Sequence, residues 1–238
     1  MRIAMISDVH AVASAFEDAL CAARAEGFDE LLILGDLLTY GIAPTETLEL
    51  AAEAVQRDGA VLLMGNHDQL YLDLADGKGA YRDGLPEWLR ESVDWTAQRT
   101  DADALRALPW QQDWRTGPIF TAHANPFAFG DWTYLNDDAA MGRASAALYT
   151  RGARYGVFGH THRSRRYNDP IAEIHTLPSL GQPRDRADQR LYWTMAELRD
   201  ELTLSSRPVA FDRKAHCRAL HATSMSSQTK SHLCSWFL

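Results

Sequence analysis

Three short, continuous apolar runs constrain this chain more than any other feature. They lie at residues 3–6, 31–34 and 61–64. Each is too short for a buried helix and reads as a strand covered on both faces. The segments between them change period. Phe16, Leu20 and Ala23 recur at helical spacing, Ser14 and Glu17 have the spacing of a capping box, and Gly27 can end the helix. Pro44 then stands where a second helix can begin, Leu48, Ala51, Ala52 and Val55 form its apolar face, and Gly59 can close it. Strand–helix–strand–helix–strand is the order of a parallel sheet with crossover helices.

Beyond the third run the pattern shifts. Residues 70–115 carry Trp88, Trp95, Trp110 and Trp114 and helix-like stretches such as 86–99, which predicts a helical insertion over the sheet edge. The tryptophans fit core positions better than a pocket. Strand-like runs return at 119–122, 155–158, 171–177 and 191–195, with a last pair around Leu202 and Val209. The chain is read as one domain over 1–238. Its tail, 206–238, is polar and left unassigned apart from an amphipathic segment ending Trp236-Phe237-Leu238.

Composition narrows the function. Of 238 residues, 46% are hydrophobic and 24% charged, as in globular proteins generally. The net charge of −8 disfavours broad, sequence-independent nucleic-acid binding. A small phosphorylated substrate would then need a local positive centre, which bound metal ions supply. The three cysteines, Cys21, Cys217 and Cys234, are odd in number and fit no zinc spacing, so a reducing cytoplasm is expected. The first apolar run is too short for a signal peptide, and no run is long enough to span a membrane.

Metal-binding residue types fall at the ends of the strand-like runs. The first run leads into Asp8-Val9-His10, the second into Gly35-Asp36, and the third into Gly65-Asn66-His67-Asp68. Residues 119–122 lead into His123, and 155–158 into Gly159-His160-Thr161-His162. Ligands of open parallel sheets bind outside the carboxyl ends of the strands, so these residues are expected to meet at one edge. In a strand-like extension His160 and His162 would share a face, as would Asp8 and His10. Two divalent ions sharing one carboxylate, roughly 3.5–4 Å apart, suit such a set. Imidazole, carboxylate and amide ligands favour manganese, iron, nickel or zinc over calcium, manganese first among them in vitro.

These blocks, in this order and spacing, resemble the calcineurin-like metallophosphoesterases, and in particular their small bacterial phosphodiesterase-like branch. Tyr40-Gly41 with Pro44, and Gly181-Gln182-Pro183-Arg184-Asp185, extend the resemblance to about residue 195. It implies an α/β fold of two mixed β-sheets packed as a sandwich and flanked by helices. It implies that Asp8, His10 and His162 hold one metal, that Asn66, His123 and His160 hold a second, and that Asp36 bridges. His67 would protonate the leaving oxygen or stabilise the transition state, with Asp68 orienting it. A hydroxide shared by the metals would attack phosphorus in a phosphodiester or phosphomonoester.

Two departures stand out. Ala11-Val12 replaces the Gly-Asn that often follows the first histidine, and Thr176-Leu177-Pro178-Ser179 replaces Asn-Pro-Gly-Ser before Gly181. Arg163, Arg165 and Arg166 could receive substrate phosphate or belong to a solvated turn, and Arg184 could contact substrate or brace its loop. His175 fits a packed or surface position, and His216, His221 and His232 receive no role. Three other readings stay open: a phosphoprotein or dinucleoside-polyphosphate phosphatase with the same ligands, a nuclease, which the charge opposes, and a non-catalytic scaffold that keeps the fold. Oligomeric state is not read from the sequence.

Overall fold

The computed structural model describes all residues, 1–238. Strand β1 (Arg2–Ile6) leads through α1 (Ala13–Glu26) to β2 (Glu30–Ile33), and α2 (Pro44–Asp58) leads to β3 (Val61–Leu63). These strands pair in parallel, as expected. Gly27 at φ 79° ends α1 and gives its amide to the Ala23 carbonyl, while Pro44 opens α2 and Gly59 closes it in the left-handed region. The Ser14–Glu17 capping box does not form. The first helix starts at Ala13, one residue before Ser14, so Ser14 already lies inside it.

Four helices follow: α3 (Asn66–Ala75), α4 (Ala80–Asp83), α5 (Glu87–Ala97) and α6 (Ala102–Ala107). The expected insertion is therefore helical to residue 107 but not to 115. Trp110 lies in β4 (Trp110–Gln111), which pairs in parallel with β3, and Trp114 lies in β5 (Asp113–Thr116), which opens a second sheet. That sheet continues with β6 (Ile119–Ala122), β7 (Tyr155–Phe158), β8 (Arg165–Asn168) and β9 (Glu173–Thr176). Helix α7 (Asp138–Thr150) joins β6 to β7. The chain then returns to the first sheet as β10 (Tyr192–Leu198) and β11 (Leu202–Pro208) and ends in α8 (Arg213–His221) and α9 (Ser227–Cys234). The run expected at 171–177 proves to be β9 preceded by a turn, where the Asp169 carboxylate accepts the amides of Ile171 and Ala172. The last pair around Leu202 and Val209 is one strand, β11.

Strand order is β11-β10-β1-β2-β3-β4 in one sheet and β5-β6-β7-β9-β8 in the other, each with both parallel and antiparallel pairs. Alternation along the strands explains the layers. Ile3, Met5, Leu32, Leu34 and Leu63 face Ile119, Tyr155 and Val157 of the second sheet. Their neighbours Ala4, Ile6, Leu31, Ile33 and Leu62 point the other way and pack with Phe16 and Leu20 of α1 and Leu48 of α2. On the far side Phe120, Phe158 and Ile174 pack with Met141, Ala144 and Leu148 of α7. The result is two mixed sheets in a sandwich with helices outside, as expected. The tail, unassigned from the sequence, is ordered: the Glu91 carboxylate on α5 accepts the Ser226 amide and hydroxyl at 2.6 Å, which anchors α9. Cys217 and Cys234 are buried where α8 meets α9.

Candidate metal centre

The loops leaving β1, β2 and β7 meet at the carboxyl edge of the sandwich. Backbone bonds tie the first two together: the amides of Asp8, His10 and Ala11 reach the carbonyls of Gly35, Asp36 and Leu37 at 3.1, 2.9 and 2.7 Å. The spacing argument from strand alternation does not hold here. Asp8 (φ 55°), His10 (50°), His160 (64°) and His162 (59°) all lie in the left-handed region, with Ala11, Asp36, Thr39 and Tyr40. No other non-glycine residue has a positive φ. Each aspartate–histidine or histidine–histidine pair is therefore aimed by tight turns rather than by a pleat. Such conformations cost about 1–3 kcal/mol each and cluster at functional sites. Packing is equally tight: a Cβ on Gly65 would lie 2.2 Å from Asp36 Oδ1, and one on Gly159 would lie 2.0 Å from Ser7 Oγ.

Four buried imidazoles are fixed by backbone carbonyls. Nδ1 of His10, His123 and His162 lies 2.8, 2.6 and 2.8 Å from the carbonyls of Leu38, Leu34 and Gln182, and His160 Nε2 lies 3.0 Å from that of Trp132. A carbonyl only accepts, so each of these nitrogens carries the proton and the opposite nitrogen presents a lone pair. Those lone pairs converge. His10 Nε2 and His162 Nε2 are 3.1 Å apart, and His123 Nε2 is 3.3 Å from His160 Nδ1 and 3.2 Å from Asn66 Oδ1. Asp8 Oδ1 is 3.2 Å from His162 Nε2. Asp36 Oδ2 lies between the groups, 3.8 Å from His10 Nε2 and 3.5 Å from His123 Nε2, buried and without a hydrogen-bond donor.

The ligand atoms form two groups, Asp8–His10–Asp36–His162 and Asp36–His123–His160, each within 4.8 Å. Electron-pair donors packed this closely repel one another unless cations lie among them, and the nitrogen–oxygen set without thiolate suits divalent transition metals. The residues fit the metals that the sequence predicts, with Asp36 common to both groups. Protonation agrees at three of the four rings. Burial lowers the pKa of His10 and His162 and takes His160 down to about 3, leaving neutral ligands. His123 differs: burial opposes its protonation, but the adjacent Asp36 carboxylate outweighs it and holds the ring at about 9, so a cation bound there would have to displace the Nε2 proton. Asp36 itself stays below the usual carboxylate range, because His123 and His67 outweigh its burial.

His67 lies beside this centre. Its amide donates to Asp36 Oδ1 at 2.8 Å, its Nδ1 is 2.9 Å from Thr39 Oγ1, and its Nε2 is 3.2 Å from the Tyr40 hydroxyl. Burial takes its pKa down to about 4. Asp68 does not touch the His67 ring. Adjacent residues on a helix do not face each other, and the Asp68 carboxylate instead accepts the amides of Asp36 (2.7 Å), Leu37 (2.9 Å) and Gly65 (3.1 Å). Arg184 is largely buried, braced on Gln182 Oε1 at 3.0 and 3.2 Å, with Tyr40, Tyr134 and Asp8 around its guanidinium. Arg163 is exposed and its Nε reaches the Arg184 carbonyl at 3.3 Å, so it supports that loop. Arg165 pairs with Asp138 and Arg166 with Glu173, away from the centre.

Sequence reasoning missed several neighbours. Ser179, in the segment that departs from the family pattern, donates to the Asp8 carbonyl and accepts the amides of Gly181 and Gln182. Tyr134 stacks on His160 with centroids 4.1 Å apart. Trp132 and Tyr134 sit in an irregular loop with no periodic signal to mark them.

With buried donors positioned to bind metal ions at the carboxyl edge of a two-sheet sandwich, the class can be stated. Residues 1–164 match the family of calcineurin-like phosphoesterases, and the chain belongs to that family of hydrolases acting on phosphate esters. An uncharacterized protein of Methanocaldococcus jannaschii is 28% identical over 210 residues, 80% of either chain. Among solved structures, the chain is similar to a metallophosphoesterase from Sphaerobacter thermophilus, with a TM-score of 0.77 and 22% identity over the whole of both chains. A protein of Pyrococcus horikoshii OT3 superposes with a TM-score of 0.83 at 16% identity, over 98% of this chain and 97% of its own. These structural likenesses establish the shared fold.

Proposed function

We propose that the protein hydrolyses a small phosphodiester, or a phosphomonoester, with two divalent cations. Asp8, His10 and His162 would hold one cation, Asn66, His123 and His160 the other, and Asp36 both. The single observation behind this is Asp36 Oδ2, a buried carboxylate oxygen without a donor, shared by two groups of converging acceptors. Two such cations lower the pKa of a water, draw in the phosphate and stabilise the charge that develops on it. The chain's own residues account for the rest. Arg184, held by Gln182, is a fixed positive charge for a phosphoryl oxygen. His67, neutral alone, would gain a proton more readily beside a bound phosphate and would give it to the leaving oxygen. Manganese is the metal we expect to support activity in vitro.

The test joins metal analysis to hydrolysis of a generic aryl phosphodiester. The wild-type protein should carry two transition-metal ions and turn over the diester. Asp36→Ala and His160→Ala should each lower the rate by more than about 100-fold, beyond the loss typical of residues that only orient a ligand. Retained activity in either variant would count against the assignment, and a protein that takes up no manganese would favour a scaffold. A panel of mono- and diesters, phosphopeptides and dinucleoside polyphosphates separates substrate classes that share these ligands.

A further inference from the structure

Two large aromatic side chains stay open to solvent at the mouth of the metal centre. Tyr81 on α4 is 53% exposed and its hydroxyl lies beside the Asn66 side chain. Tyr134, between β6 and α7, is 42% exposed and lies flat against His160, at an interplanar angle of 17°. Segments more than fifty residues apart in the chain thus bring phenol rings to the same group of ligands, that of Asn66, His123 and His160.

We infer that Tyr81 and Tyr134 form a stacking subsite, so that the ester taken by this centre carries a flat aromatic group, a nucleoside or an aryl alcohol, next to its phosphate. The inference rests on the function proposed above and narrows its substrate. Tyr134 is a prepared platform: one face is pinned by His160, while the residue as a whole stays 42% exposed. Its loop is already ordered, since the Trp132 carbonyl holds His160 Nε2 and Asn125 Nδ2 donates to the carbonyls of Asp131 and Thr133 at 2.8 and 3.1 Å. A ring fixed in advance loses little conformational entropy when a ligand stacks on it. The Arg184 guanidinium lies beside Tyr134, which places a phosphate-binding charge next to the platform. An ester of glycerol or a similar aliphatic alcohol would find the same charge but would leave both rings wet.

The test is binding of two monophosphates of similar charge to the manganese-loaded protein, read by titration calorimetry. Adenosine 5′-monophosphate should bind about tenfold or more tightly than glycerol 3-phosphate, in line with the effect of removing one stacking ring from base-binding sites. Tyr134→Ala and Tyr81→Ala should each shrink that preference, and Tyr134→Phe and Tyr81→Phe should keep it. Manganese content measured on each variant separates loss of stacking from loss of support for His160. Equal affinities in the wild-type protein, no binding of either phosphate, or a preference that survives both alanine variants would overturn the inference. Failure of the metal-loaded protein to hydrolyse any ester would instead overturn the catalytic reading, while the affinity ratio still reports on the subsite.

Discussion

Replacing Asp68 should damage the fold and the metal centre together, rather than catalysis alone. Asp68 occupies the third position of α3 and reaches back to the Gly65 amide at its start, as a capping-box acid does. The same carboxylate also takes the amides of Asp36 and Leu37, so one buried group locks the loop carrying the shared ligand to the loop carrying Asn66 and His67. Asp68→Ala leaves three buried N–H groups without acceptors, at about 1–3 kcal/mol each. Allowing for water entering the vacated space, the loss should be about 3–6 kcal/mol, a large share of the ~5–15 kcal/mol that stabilises a typical domain. For a chain of this size that is a fall in Tm of about 6–24 °C. Asp68→Asn should lie between. Its oxygen can keep the Asp36 and Gly65 bonds, but its amide nitrogen then faces the Leu37 N–H, a clash of two donors. Calorimetry and urea titration of metal-free protein measure the losses, and manganese titration follows the centre. An Asp68→Ala protein with wild-type stability and metal content, impaired only in kcat, would refute this reasoning and return Asp68 to a role on the His67 ring.

Two further predictions rest on separate parts of the fold. His216 is buried between Phe211 and Phe237, its Nε2 has no partner, and burial takes its pKa from 6.5 down to about 4. The unfolded chain therefore binds a proton below pH 6.5 that the folded chain refuses, so this stabilisation is complete above that pH and is lost as pH falls towards 4, by about 3 kcal/mol at most. Urea titrations at pH 7 and 4.5 should show a smaller acid loss in His216→Phe than in the wild-type protein, and equal losses would exclude the effect. Gly65→Ala forces a methyl to within 2.4 Å of the Asp36 amide and closer still to its carboxylate, so manganese affinity should fall more than about tenfold; Gly84→Ala, whose nearest neighbour is 3.6 Å away, should bind metal as the wild-type protein does.

The parts of the fold that could be read from the sequence are those where burial is one-signed. Residues 119–122 and 155–158 coincide with β6 and β7, because a strand covered on both faces must be apolar throughout. Helix α7 gives no such signal: three of its five buried residues are the small Ala140, Ala144 and Ser145, so only Met141 and Leu148 mark its inner face. The tail resists reading for a related reason. Its polar composition hides that Cys217, Leu220, Leu233 and Phe237 all face the core, and the Glu91 anchor for α9 lies on a helix more than a hundred residues earlier. Strand β8 was invisible because it is an edge strand of mostly polar residues, half of them exposed.

The metal centre was legible as a set of residue types but not as a shape, and the distinction has a physical source. Candidate ligands are marked by their chemistry, so Asp8, His10, Asp36, Asn66, His123, His160 and His162 stand out by residue type at the ends of apolar runs. Their directions are dictated by backbone conformations that sequence patterns treat as exceptions. Alternation predicts that Asp8 and His10 share a face, yet both sit at positive φ, as do Asp36, His160 and His162. Nothing intrinsic to aspartate or histidine holds five such turns at once; the cross-loop amide bonds and the carbonyls that fix each imidazole do so. The short spacing between paired ligands follows from this. A pleated Asp-x-His pair would project its two side chains in parallel, two residues apart along the strand. Left-handed turns fold them back, bringing Asp8, His10 and His162 within reach of one point and leaving Asp36 Oδ2 to face both groups. The motif is thus the imprint of a strained loop, and a substitution that relaxed the strain without touching a ligand should still empty the centre.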